Sequence, residues 1–95
     1  MLHTLMQSPW QSDLDSLLLL LQPGDDLILL QDGVTAALQG SAPLARLLAS
    51  AATVYVLQED VTARGLIAQI STEVQRVDYT GFVALTAGHP KQMTW

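Results

Sequence analysis

The sequence predicts an α/β fold: one domain over residues 1-95, a parallel sheet of four or five strands flanked by helices. Three observations carry this. Leu27 to Leu30 is an apolar run without alternation, the pattern of a strand covered on both faces. A second β-rich run, Thr53-Val54-Tyr55-Val56-Leu57, follows two helical pieces. Each run stops at a polar group, Gln31-Asp32-Gly33 and Gln58-Glu59-Asp60, that leads into another helical stretch. Strand, acidic turn and helix, repeated with helical crossovers, is what a right-handed parallel sheet requires.

Met1 to Met6 reads as the first strand, closed by Pro9, which restricts itself and Ser8 against a regular element. Ser12 to Gln22 reads as a helix with Ser12 as N-cap and Asp13 and Asp15 in the first turn. Pro23-Gly24 ends it. Leu14, Leu17, Leu18 and Leu21 form its buried stripe, and Leu19 and Leu20 widen the apolar surface beside that stripe. Leucines placed there either pack under a neighbouring loop or meet another chain. The central strand follows, ending at Gln31, and Asp32 is positioned to cap the next helix.

Val34 to Leu38 is a short helical piece closed by Gly40, and a second piece with Leu44, Leu47 and Leu48 follows Pro43, with Ser41 and Ala42 as the joint. After the Thr53 to Leu57 strand, a helix containing Val61, Ala63 and Arg64 runs to Gly65. A brief strand is expected near Val74 to Val77. Asp78 then caps a helix with Tyr79, Phe82, Val83 and Thr86 on one face, broken at Gly88-His89-Pro90. Residues 91-95 either add an edge strand or dock by Trp95 alone.

Composition narrows the function. Four Lys and Arg against nine Asp and Glu give a net charge of −5, which disfavours direct binding to nucleic-acid phosphates. Charged residues are only 14% of a chain that is 49% hydrophobic, a shortfall that points to a surface covered by partners. There is no cysteine, which excludes disulfides, thiolate metal sites and a cysteine nucleophile in this polypeptide. The amino terminus lacks a secretory pattern and no run reaches membrane-spanning length, so the expected location is cytoplasmic.

Chemical candidates are few. Gln31, Asp32, Glu59 and Asp60 gather at one predicted strand-end edge, where carboxylates serve either as helix caps or in acid–base or metal chemistry. The second role would make the chain a stand-alone ligand- or metal-binding domain. His3 and His89 belong to no metal spacing, and His89 reads as a helix terminator whose charge suits the negative helix end. Phosphate loops and a Gly-x-Ser-x-Gly elbow are absent. The aromatics are scattered, and so read as core or interface anchors.

One ordered set of motifs remains: Met1-Leu2-His3-Thr4-Leu5 with Ser8-Pro9-Trp10, then Leu29-Leu30-Gln31-Asp32-Gly33-Val34-Thr35-Ala36-Ala37. Val54-Tyr55-Val56-Leu57 with Glu59-Asp60, Ala63-Arg64-Gly65-Leu66, Asp78-Tyr79, Phe82-Val83, Leu85-Thr86 and His89-Pro90 ending at Trp95 complete it. By these motifs the chain resembles, from end to end, the TusB/DsrH family of sulfur-relay subunits, and that resemblance carries the expectations that follow. It implies a DsrEFH-like fold and a heterohexamer with two copies each of TusB-, TusC- and TusD-like chains. Such complexes pass persulfide sulfur toward 2-thiolation of the wobble uridine in certain tRNAs, on a cysteine of the TusD-like chain at a strand end before an Arg-Gly-containing helix. The comparable place here, counted back from Arg64-Gly65, holds Leu57-Gln58.

This chain is therefore expected to support the relay without carrying sulfur and without a cofactor. Some DsrH relatives in sulfur oxidisers carry a cysteine, so its absence favours the tRNA-thiolation branch. The link to tRNA and to a downstream sulfur acceptor is expected to be indirect. Leu19 and Leu20 on one helix and Tyr79 and Phe82 on another are the expected subunit contacts, with the Gln31, Asp32, Glu59 and Asp60 edge turned to a partner.

Overall fold

In the computed structural model, which describes residues 1–95, the strand β2 (Asp26–Leu29) lies at the centre of a five-stranded sheet. Its neighbours are β1 (Leu2–Leu5) and β3 (Thr53–Leu57), and the edges are β4 (Gln75–Val77) and β5 (Gln92–Thr94), in the order β4-β3-β2-β1-β5. All four pairings are parallel. Leu27, Ile28 and Leu29 are fully buried because helices lie on both faces, which is why the run need not alternate.

The register puts Leu5, Leu29 and Val56 side by side on one face, over which α1 (Leu14–Leu20), a 3-10 helix (Gln31–Ala37), α2 (Ala42–Leu48) and α3 (Gln58–Ala63) pack. Sixteen buried residues join in one cluster there. Leu2, Ile28, Leu30 and Leu57 form a smaller cluster on the opposite face, under α4 (Tyr79–Gly88), whose Phe82 and Leu85 pack on it. Not one residue of α4 is buried.

Several local expectations are corrected. Asp13, not Ser12, caps α1, accepting from the Ser16 amide at 3.1 Å and the Ser16 hydroxyl at 2.6 Å. The Ser12 hydroxyl turns back to donate to the Ser8 carbonyl at 2.8 Å, closing the Pro9 turn, which leaves the helix start to the stronger carboxylate acceptor. Ser41 is an N-cap rather than a joint, accepting from the Leu44 amide at 3.3 Å. Gln58, Glu59 and Asp60 are the first turn of α3 itself. The piece after β2 is a 3-10 helix beginning at Gln31, and no side chain caps its start.

At the carboxyl end the edge strand forms, so the segment does not dock by Trp95 alone. Gln92–Thr94 pairs with β1, and the Trp95 ring docks against the larger cluster. Asp78 caps α4 as expected, its carboxylate accepting from the Gly81 amide at 2.8 Å.

Candidate functional site

Gln31, Asp32, Glu59 and Asp60 lie near one strand end, and their side chains and backbone are joined across elements. β2 turns sharply at Gln31, a non-glycine residue with φ of +50°, which costs about 1 kcal/mol. The turn is forced by close packing behind it. A Cβ on Gly33 would stand 2.0 Å from the Leu5 carbonyl oxygen, so only glycine lets the chain pass β1 there. The strained residue is held by Asp60, whose carboxylate accepts from the Gln31 amide at 2.6 Å.

Each acidic side chain reaches across to another element. Glu59 accepts from the Tyr79 amide at 3.0 Å, so α4 is capped by α3 as well as by its own Asp78. Asp32 does not cap its own helix. Its carboxylate instead accepts from the Arg64 Nε and Nη2 at 3.2 and 3.1 Å, and Arg64 Nη1 also stands 3.9 Å from Asp60. A bidentate guanidinium is a better partner for an exposed carboxylate than a single amide. The edge is thus a brace tying β2, the 3-10 helix, α3 and α4 together. Backbone amides and Arg64 take up these carboxylates, and no three His, Asp or Glu side chains converge as metal ligands.

Gln58, at the place where a sulfur-carrying cysteine is expected in a TusD-like chain, is half-buried, and Leu57 before it is buried. The strand end is therefore filled by a leucine and by an amide side chain within 3.4 Å of the Thr62 hydroxyl.

The four expected contact residues fall on two separate surfaces. Leu19 is 85% exposed and Leu20 46% exposed, on the outside of α1. Tyr79 is 63% exposed on α4, beyond the opposite face of the sheet, while Phe82 is half-buried and meets the Tyr79 ring edge-on with centroids 6.2 Å apart. Sequence reasoning missed two features. Trp10 is 68% exposed and lines a groove of about 360 Å³ with Pro9, Asp13, Asp15, Pro43 and Arg46. Its signal was Pro9, which ends the strand and leaves the next residue on a loop.

The second is a polar chain at the opposite end of the sheet, running from the exposed amino terminus through half-buried Asp25 to buried His3. Asp25 accepts from the Met1 ammonium at 2.8 Å and the Gln22 amide at 3.0 Å, and stands 3.3 Å from His3 Nε2. The ammonium bond, outweighing burial, holds the Asp25 carboxyl below its usual range. His3 and His89 stay apart: His89 Nε2 lies 2.7 Å from Asp26, so it ties the end of α4 to the start of β2. No helix is long and apolar enough to cross a membrane.

Comparison with known proteins bears on the family and the fold. The DsrH family profile, described as "DsrH like protein", matches residues 7–92. Protein TusB of Erwinia tasmaniensis is 57% identical over 95 residues, and Protein TusB of Escherichia coli K12 is 55% identical, each covering the whole of both chains. A crystal structure of the ychN protein from E. coli superposes with a TM-score of 0.78 at 19% identity, covering 99% of this chain and 97% of that one, and shares the fold. The solution structure of protein Tm0979 from Thermotoga maritima gives a TM-score of 0.68 at 27% identity, covering 96% and 97%. The chain belongs to the TusB/DsrH family.

Proposed function

We propose that this chain is a non-catalytic subunit of a TusBCD-like heterohexamer that passes persulfide sulfur toward 2-thiolation of the tRNA wobble uridine, in the cytoplasm. The observation that carries the reading is the full-length identity of 57% to a Protein TusB, in a chain with no cysteine on which to hold a persulfide. The sulfur-bearing cysteine then belongs to the TusD-like partner. A charge of −5 suits an indirect connection to tRNA.

Assembly is where the chain contributes. Leu19 and Leu20 on α1 and Tyr79 and Phe82 on α4 lie over opposite faces of the sheet, which suits a subunit with more than one neighbour. Gln31, Asp32, Glu59 and Asp60 form a rigid, largely exposed polar edge suited to a partner's rim contacts. The test is co-expression with TusC- and TusD-like chains followed by native mass measurement. An equimolar complex of all three is expected, and Leu19→Glu and Tyr79→Glu each weaken it while the isolated chain keeps its fold. A lone monomer that ignores both partners would overturn the assignment.

A further inference from the structure

We infer that His3 is a proton-operated latch for the C-terminal strand β5. This rests on the polar chain from Met1 through Asp25 to His3 and Trp95 alone and stands apart from the proposed assembly. The His3 side chain is 1% exposed, and its two ring nitrogens have different partners. Nδ1 faces the Trp95 indole Nε1–H at 3.2 Å, and Nε2 faces the Asp25 carboxylate at 3.3 Å. An indole N–H can only donate, so Nδ1 must present its lone pair and the ring proton sits on Nε2, aimed at Asp25. The contact therefore exists in one protonation state only.

β5 is anchored through Trp95, whose ring meets His3 and packs on the larger cluster. It is three residues long, all exposed, at the sheet edge with β1 as its single neighbour. Within residues 91-95 only Trp95 is not exposed, and its ring stacks on His3 with planes 30° apart. Beyond the ladder of its three paired residues, the segment is held by the Leu2 amide to Lys91, the Trp95 amide to Thr4 at 2.7 Å, and the Met6 amide to Trp95 at 3.2 Å.

A proton on Nδ1 converts the acceptor into a second donor. Two N–H groups then face each other and the Trp95 bond is lost. The charged groups facing His3 are Asp25 and, across it, the Met1 ammonium. Leu20 at the end of α1, Gln22 just beyond it and Met93 of β5, none of them charged, line a groove with Met1, His3 and Asp25, while the Trp95 main-chain oxygen is engaged by the Met6 amide. Asp25 accommodates the imidazolium, so protonation releases β5 without dismantling the sheet. The open state leaves the outer edge of β1 unpaired.

The test uses the Trp10→Phe form of the 95-residue chain, in which Trp95 is the sole indole. Its emission is followed from about pH 8 to about pH 5, together with backbone amide exchange corrected for intrinsic rates. The latch predicts a change in emission and at least about a tenfold loss of protection at the Trp95 and Met6 amides. The Asp26 and Leu30 amides, which bond β2 to β1, keep theirs. Adding His3→Asn, whose side-chain oxygen replaces Nδ1 as an acceptor that does not titrate in this range, abolishes the change. Flat emission with unchanged protection overturns the latch, as does simultaneous loss at Leu30 or an identical transition in the Asn variant. If that variant does not fold, the exchange pattern of the His3 chain decides.

Discussion

The face of the sheet beneath α1, α2 and α3 buries sixteen residues in one cluster, whereas the face beneath α4 buries four. The strands do not make this difference. Leu27 and Leu29 point to the first face, Ile28 and Leu30 to the second, and all four are buried. What differs is the cover: three helices and a 3-10 segment on one side, and on the other a single ten-residue helix with no buried residue. An apolar strand establishes that it is covered. It does not establish how thick that cover is, and the thin side is where Tyr79 and Val83 present apolar surface outward.

The contrast is broken most directly by truncating one residue on each face. Leu29→Ala on the thick face should cost about 3 kcal/mol in urea unfolding, through lost transfer energy and a cavity among close-packed neighbours. Phe82→Ala on the thin face should cost the isolated chain about 1.5 kcal/mol, since that ring is only half-buried. Equal costs would show that α4 seals its face as fully as the three helices seal theirs.

The two ends of the sheet sharpen the comparison further. At the amino end Asp25 has a depressed folded value, so its contribution is present above the usual carboxylate range and is lost as pH falls through the depressed value. Asp25→Asn should therefore flatten the stability curve in that acid window and lower stability at neutral pH. A curve parallel to that of the unsubstituted chain would remove the ammonium bond as its source. At the carboxyl end Asp32 is 69% exposed, and Asp32→Asn should cost only about 0.5 kcal/mol, fading with added salt. A loss several times larger would mean that the Arg64 bridge holds the strained Gln31 turn in place.

Much of the fold was legible because the relevant signals are local. Unbroken apolar runs at Leu27 to Leu30 and Thr53 to Leu57, Pro23-Gly24 after the leucine-rich helix, and Asp78 before α4 each state their structure within a few residues. The candidate edge was legible as a location, and its wiring was not. Asp32 is well placed in sequence to cap its own helix, and nothing nearby reveals that Arg64, thirty-two residues on, offers a guanidinium instead. Glu59 and Asp60 look like first-turn acids of α3, and they are, yet their hydrogen bonds go to Tyr79 and Gln31.

The sequence by itself determined the α/β class, the central strand, the absence of a sulfur-carrying cysteine, and the family. These depend on periodicity, composition and motif order, which chain neighbours encode. Tertiary structure alone decided that α4 covers one face unaided, that Leu19 and Tyr79 look outward on opposite sides, and that His3 meets Trp95 ninety-two residues away. The reason is geometric: parallel pairing brings both β2 and β5 against β1, and which side chains then meet depends on register and cover that no short stretch of chain contains.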